Sequence, residues 1–186
     1  MSFILQRYKD GYGSFTIFVD VTLIDNLNKT IGKAISWLTL LLVLIIVVDV
    51  ILRYTFSITS AASFELEWHL FAAIFLLGAA YTLKEDKHVR VDVFYHRFSP
   101  KSKAWVNLIG TLLLLMPFCA VAFWESLSFV QSSFSMNETS PQPGGLPARW
   151  IIKSTIPVGF LLLALQGISL IIQSIKTITH GGQENQ

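Results

Sequence analysis

Charge and cysteine are what this sequence has least of. Only 14% of its 186 residues are charged, against about 25% in soluble domains. Hydrophobic residues make up 53%, and the mean hydropathy is +0.57. That balance excludes a soluble globule, and the wealth of Leu, Ile, Val and Phe excludes intrinsic disorder. A formal net charge of +2 is too small to point to a nucleic-acid partner. The single cysteine, Cys119, excludes an intrachain disulfide and any multi-cysteine metal site. It lies in an apolar run and reads as a small buried hydrophobe.

What is there is a set of long apolar runs. A spanning helix needs about 20 mostly apolar residues. Four stretches qualify: residues 34–52, 66–83, 104–124 and 151–172. They leave no room for a soluble catalytic domain of about 100–150 residues. All five tryptophans, Trp37, Trp68, Trp105, Trp124 and Trp150, fall near the ends of these stretches. Tryptophan favours the interface because its ring is apolar and its N–H needs a partner. The connection 132–149 holds Pro141, Pro143, Pro147 and the Gly144-Gly145 pair, so it reads as a loop. The expected fold is therefore all-α. Residues 1–33 form a cytoplasmic or interfacial segment, 34–175 a four-helix transmembrane domain, and 176–186 a cytoplasmic tail.

Lys and Arg in short loops set orientation. Eleven of the 14 basic residues fall on one side: Arg7, Lys9, Lys29, Lys33, Lys84, Lys87, Arg90, Arg97, Lys101, Lys103 and Lys176. Arg53, Arg149 and Lys153 fall on the other. Both termini are expected in the cytoplasm. The first apolar run is longer than the 7–15 residues of a signal-peptide core, and about 30 residues precede it, so cleavage is not expected. In residues 15–30, Phe15, Phe18, Val19, Leu23 and Leu27 approximate a helical stripe, with Asp20, Asp25 and Asn28 elsewhere. An amphipathic helix lying in the interface fits this pattern; the alternative is a poorly ordered arm.

Three segments in order and spacing carry a family resemblance. They are DVILRYTF from Asp49, FELEWHLFAAIFLLGAAYTLKEDKHVRVDVFY from Phe64, and GGLPARWIIKSTIPVGFLLLALQGIS from Gly144. HVRVD, ten residues after Gly78, is the most specific element. The chain resembles the small membrane subunit (DctQ-type) of the tripartite ATP-independent periplasmic (TRAP) transporters. The resemblance implies an inner-membrane protein with a large, many-helix membrane subunit as partner, which carries the substrate and sodium sites. It also implies a periplasmic binding protein that delivers an organic acid. The small subunit would be part of a rigid frame, with no cofactor of its own. Many relatives have two adjacent acids before the second span. Here Phe64 precedes Glu65 and the second acid is Glu67, so no substrate identity is carried over.

Ionisable groups near membrane depth are costly and need partners. Asp49 and Arg53, four residues apart, share a helix face. A short hairpin brings Glu65 and Glu67 to the depth of Arg53, so the expected pair is Arg53 with one of these acids; the alternative is that all four reach water. The basic connection after Lys84 sets topology and meets lipid headgroups. Its mixture of His88, Arg90 and Asp92 with valines suits a docking surface for the partner or an ordered lipid-headgroup site. Trp68, Arg149, Trp150 and Lys153 mark the opposite border. The two cations there could hold lipid phosphate, face a binding protein or simply snorkel to the interface. Small residues on the second span, Ala72, Ala73, Gly78, Ala79 and Ala80, suit close packing, as do Gly159 and Gly167 on the fourth. Pro117 and Pro157 are expected to kink their helices.

Haem would need two histidines at similar depth. His69 and His88 are about 28 Å apart along a helix at 1.5 Å per residue, while His96 and His180 lie in a loop and the tail. No zinc-ligand spacing occurs within one element. No nucleophile–base set or phosphate-binding glycine loop is present, so no enzyme is expected. A self-sufficient homo-oligomeric transporter or channel is the alternative to a subunit. It would favour an acid at mid-membrane, which the spans lack.

Overall fold

The computed structural model describes residues 21–85 and 98–180. Among these the architecture is four long helices and no strand: α1 (Val21–Phe56), α2 (Ala61–Lys84), α3 (Pro100–Ser135) and α4 (Trp150–His180). Each expected span lies inside one helix, and each helix is long and apolar enough to cross a membrane.

Local chemistry sets the helix ends. Ser57, at φ 56°, takes the left-handed conformation that closes α1, and the Ile58 N–H returns to the Leu52 carbonyl at 3.2 Å. Ser60 then caps α2. Ser99 caps α3 through the Ser102 N–H at 3.2 Å, with Pro100 in the first turn, where its missing N–H costs nothing. Inside α3, residues Thr111–Leu115 form one π-helical turn, with the Met116 N–H bonded to the Thr111 carbonyl. Pro117 follows directly and cannot donate to Leu113, so the wider turn sits where the regular ladder would break.

A separate interfacial N-terminal helix is not seen among the described residues. Residues 15–20 of that reading lie outside the described residues. Residues 21–30 are the opening turns of α1, continuous with the first span over 36 residues. No proline interrupts the run, and the polar residues Asp25 and Asn28 bond to α4.

α2 packs between α1 and α4, α3 packs on α4, and α1 also meets α4 directly over a shorter stretch. α4 is central and is the most buried of the four; α3 packs on it away from α1. Close approach depends on glycines of α1 and α4. A Cβ on Gly159 would stand 2.8 Å from the Leu76 carbonyl oxygen of α2, and one on Gly167 would stand 3.2–3.4 Å from side chains of the π turn and Met116. Gly32 of α1 lies directly under the Tyr81 ring. Of the small residues on α2, Ala80 is fully buried, whereas Gly78 has room to spare beside Ile35. Cys119 is buried on α3, as its apolar setting implied.

Candidate functional site

The most elaborate chemistry lies in the α3–α4 connection, residues 136–149, where it folds back onto α2. Asn137 and Ala148, both at positive φ, bound the segment, and Gly144 at φ 76° turns it. The loop closes on itself: the Ser140 N–H donates to the Leu146 carbonyl at 3.1 Å and the Arg149 N–H to the Glu138 carbonyl at 3.0 Å. Glu65 of α2 then fastens it. The buried carboxylate accepts the Leu146 N–H at 2.7 Å on one oxygen and the Ser140 hydroxyl on the other. Gly145 passes so close that a Cβ there would lie 2.8 Å from the Glu65 carboxylate. A carboxylate between two fixed donors is the chemistry that holds a loop, since charge-assisted hydrogen bonds are the strong ones.

Glu138 makes a second fastening. It accepts from the Lys153 ammonium, and the Arg149 guanidinium lies 3.9 Å from its other oxygen. The bond from Lys153 is the main reason the Glu138 carboxyl is held below its usual pKa, with the charges of Lys153 and Arg149 adding to it. Both cations also rest on aromatic rings: Arg149 is 5.6 Å from the Trp68 ring centre and Lys153 is 4.0 Å from that of Phe129. Between these two rings a groove of about 280 Å³ runs down the face of α4.

The structure thus brings together Glu65, Trp68, Arg149 and Lys153 of the expected site. Trp150 stands beside them, edge-on to Phe134 at 5.2 Å. It does not pair Arg53 with Glu65 or Glu67. Arg53 bonds instead to Asp49, one turn back on its own helix, and Glu65 is taken by the loop. An i,i+4 pair needs no alignment between helices, and Glu65 faces the loop. Glu67 is half-buried on α2, and its Oε1 has no hydrogen-bond partner. Lys84 closes the last turn of α2. His88, Arg90 and Asp92 lie outside the described residues. Among the described residues no cluster of three or more His, Cys, Asp or Glu side chains could hold a metal ion.

A second polar site went unread in the sequence. Buried Asn28 donates to the Gln166 side-chain oxygen at 2.7 Å. Gln166 and Ser169 donate in turn to Asp25 at 3.1 and 2.9 Å, and Gln173 reaches it at 3.5 Å. These bonds tie α1 to α4. The signal was present: Gln166, Ser169 and Gln173 recur at i, i+3 and i+7 on an apolar helix, opposite Asp25 and Asn28 at i and i+3. Polar side chains on apolar helices find partners across the helix interface.

Residues 21–177 match the family described as tripartite ATP-independent periplasmic transporters, DctQ component. A Haemophilus influenzae protein described as a TRAP transporter small permease protein is 27% identical over 152 residues, covering 82% of this chain and 89% of that protein. No solved structure matches the chain. The four membrane-length helices, the fastened loop and the family match over nearly the whole helical region lead to one conclusion: the chain belongs to the DctQ component family of the tripartite ATP-independent periplasmic transporters.

Proposed function

We propose that this protein is the static small subunit of a tripartite transporter in the bacterial inner membrane. In this reading the large membrane subunit carries substrate and sodium, and a periplasmic binding protein delivers an organic acid. Both termini face the cytoplasm, which puts the 136–149 loop on the periplasmic side. The observation that carries the reading is how little of each helix the bundle covers. The four helices cover little of one another, and α1 and α3 keep broad apolar faces open. Lipid covers part of such surface; a large membrane partner has room along the rest. The doubly fastened loop suits a docking platform, because a rigid surface loses little entropy on binding.

Reconstitution tests this. The purified chain alone in liposomes should move no organic acid. With the large subunit and binding protein added, uptake should appear and require a sodium gradient. Transport by the chain alone would favour the homo-oligomeric alternative. Reporter fusions after Lys103 and after Gln186 should read cytoplasmic, and fusions at Thr139 periplasmic; the reverse would overturn the topology.

A further inference from the structure

The groove beneath Arg149 and Lys153 has a shape and charge that the loop fastening does not use. Its walls come from two helices that do not pack on each other: Trp68, Ala72 and Leu76 of α2, and Phe129 of α3. Its floor is Ile152 and Ile156 of α4. From Trp68 to Leu76 is eight residues, about 12 Å along a helix. The hydrocarbon core is about 30 Å thick, and tryptophan marks its border. The groove therefore runs from headgroup level most of the way through one leaflet.

The mouth carries two cations with unspent hydrogen-bond donors. Arg149 and Lys153 share one carboxylate, Glu138, while the nearby Glu65 carboxylate is taken by Ser140 and Leu146. The side chains of Arg149 and Lys153 are only 24% and 17% exposed. Among the described residues no side chain takes a hydrogen bond from the Arg149 guanidinium, and the Lys153 ammonium gives only the one to Glu138, so both cations keep N–H donors for a phosphodiester.

We infer that this groove seats one glycerophospholipid, with its phosphate between Arg149 and Lys153 and an acyl chain along Ala72, Leu76 and Ile156. A soluble anion would match the mouth but leave the apolar channel empty. An acidic protein surface would do the same, since it cannot follow the groove to acyl-chain depth. The seat depends on the chain's spanning the membrane and not on its part in transport, so its test is independent of uptake.

The test is lipid retention by the full chain in detergent, counted by native mass spectrometry. Three probes are compared: phosphatidylglycerol, diacylglycerol with the same chains, and glycerophosphoglycerol without chains. One phosphatidylglycerol per chain should survive washing, and neither fragment should. Arg149→Gln and Lys153→Gln should each lower retention about tenfold, as expected for the loss of a charge-assisted hydrogen bond. Ala72→Trp should abolish it with both cations intact. Ile156→Trp blocks the groove from α4 and serves as the second blocking variant should Ala72→Trp not fold. Glu138→Gln should raise retention, because it frees both cations; a pure loop clasp would give no such gain. Retention that follows the cations but ignores the blocking tryptophans would overturn the lipid seat in favour of a protein-facing or soluble-anion patch. So would equal retention of glycerophosphoglycerol.

Discussion

The Glu65 carboxylate and the Leu146 backbone N–H meet at 2.7 Å across 81 residues of chain. This bond, with the one from Ser140, pins the α3–α4 loop to the first turns of α2. Replacing Glu65 with Leu should release the loop, because two donors lose a fixed acceptor and return to water. Glu65→Gln keeps one acceptor oxygen and should release it less. Limited proteolysis around Gln142–Gly144 should quicken in the order wild type, Gln, Leu. The helix content by circular dichroism should stay constant. Equal cleavage in all three proteins would mean that the loop is held by its internal bonds alone.

Arg53 and Asp49 form a pair within one helix, so their coupling should be local. Arg53 is 44% exposed while Asp49 is 6% exposed, and solvent on the arginine side weakens the attraction. A double-mutant cycle on unfolding in detergent should give about 0.3–0.5 kcal/mol for Arg53 with Asp49, the range for exposed i,i+4 pairs. Cycles of Arg53 with Glu65 or Glu67 should be additive, within the usual 0.3–0.5 kcal/mol error for independent sites. A clear coupling to either glutamate would restore the cross-hairpin pair.

The glycines give a graded series. At Gly159 a methyl would press on the Leu76 backbone carbonyl, which cannot move without its helix. Gly159→Ala should cost about 1–3 kcal/mol, the range for overpacking. At Gly167 the neighbours are the side-chain ends of Met116, Leu115 and Thr111, and methionine yields easily. That substitution should cost less. Gly78→Ala, with 3.8 Å to Ile35, should be neutral or slightly stabilising, since alanine favours the helix. Thermal unfolding of the three variants checks the order.

The spans were legible because hydropathy and interfacial tryptophans depend on composition over about 20 residues. Contacts were less so. Residues 21–30 run on as α1 and form no separate helix; Asp25 and the Asn28 amide N–H bond to α4, and periodicity cannot distinguish water from a polar neighbouring helix. Depth alone matches Arg53 with Glu65 or Glu67. Depth ignores rotation about the helix axis, and Glu65 faces the loop. Glu138 and Ser140 were passed over because their role depends on where a proline-rich loop returns, which no local pattern encodes. Arg149 and Lys153 stand out in the sequence because cations beside a tryptophan at a span end are costly.

Glu138 ties loop stability to pH. Its carboxyl is held below the usual glutamate value of 4.5, chiefly by the hydrogen bond from Lys153. A carboxylate whose pKa is lowered on folding stabilises the folded state fully above the unfolded value, and loses that contribution as pH falls through the folded value. The clasp should therefore hold unchanged from neutral pH down to about 4.5, and open below it. Lys153→Gln removes the principal cause of the shift, so the opening should move upward, towards the usual glutamate value. Glu138→Gln should remove this step altogether. A fluorophore on a cysteine introduced at Thr139, with Cys119 replaced by Ala, reports loop mobility as pH is lowered. If the opening occurs at the same pH with and without the Lys153 ammonium, the Glu138–Lys153 bond is not what holds the loop.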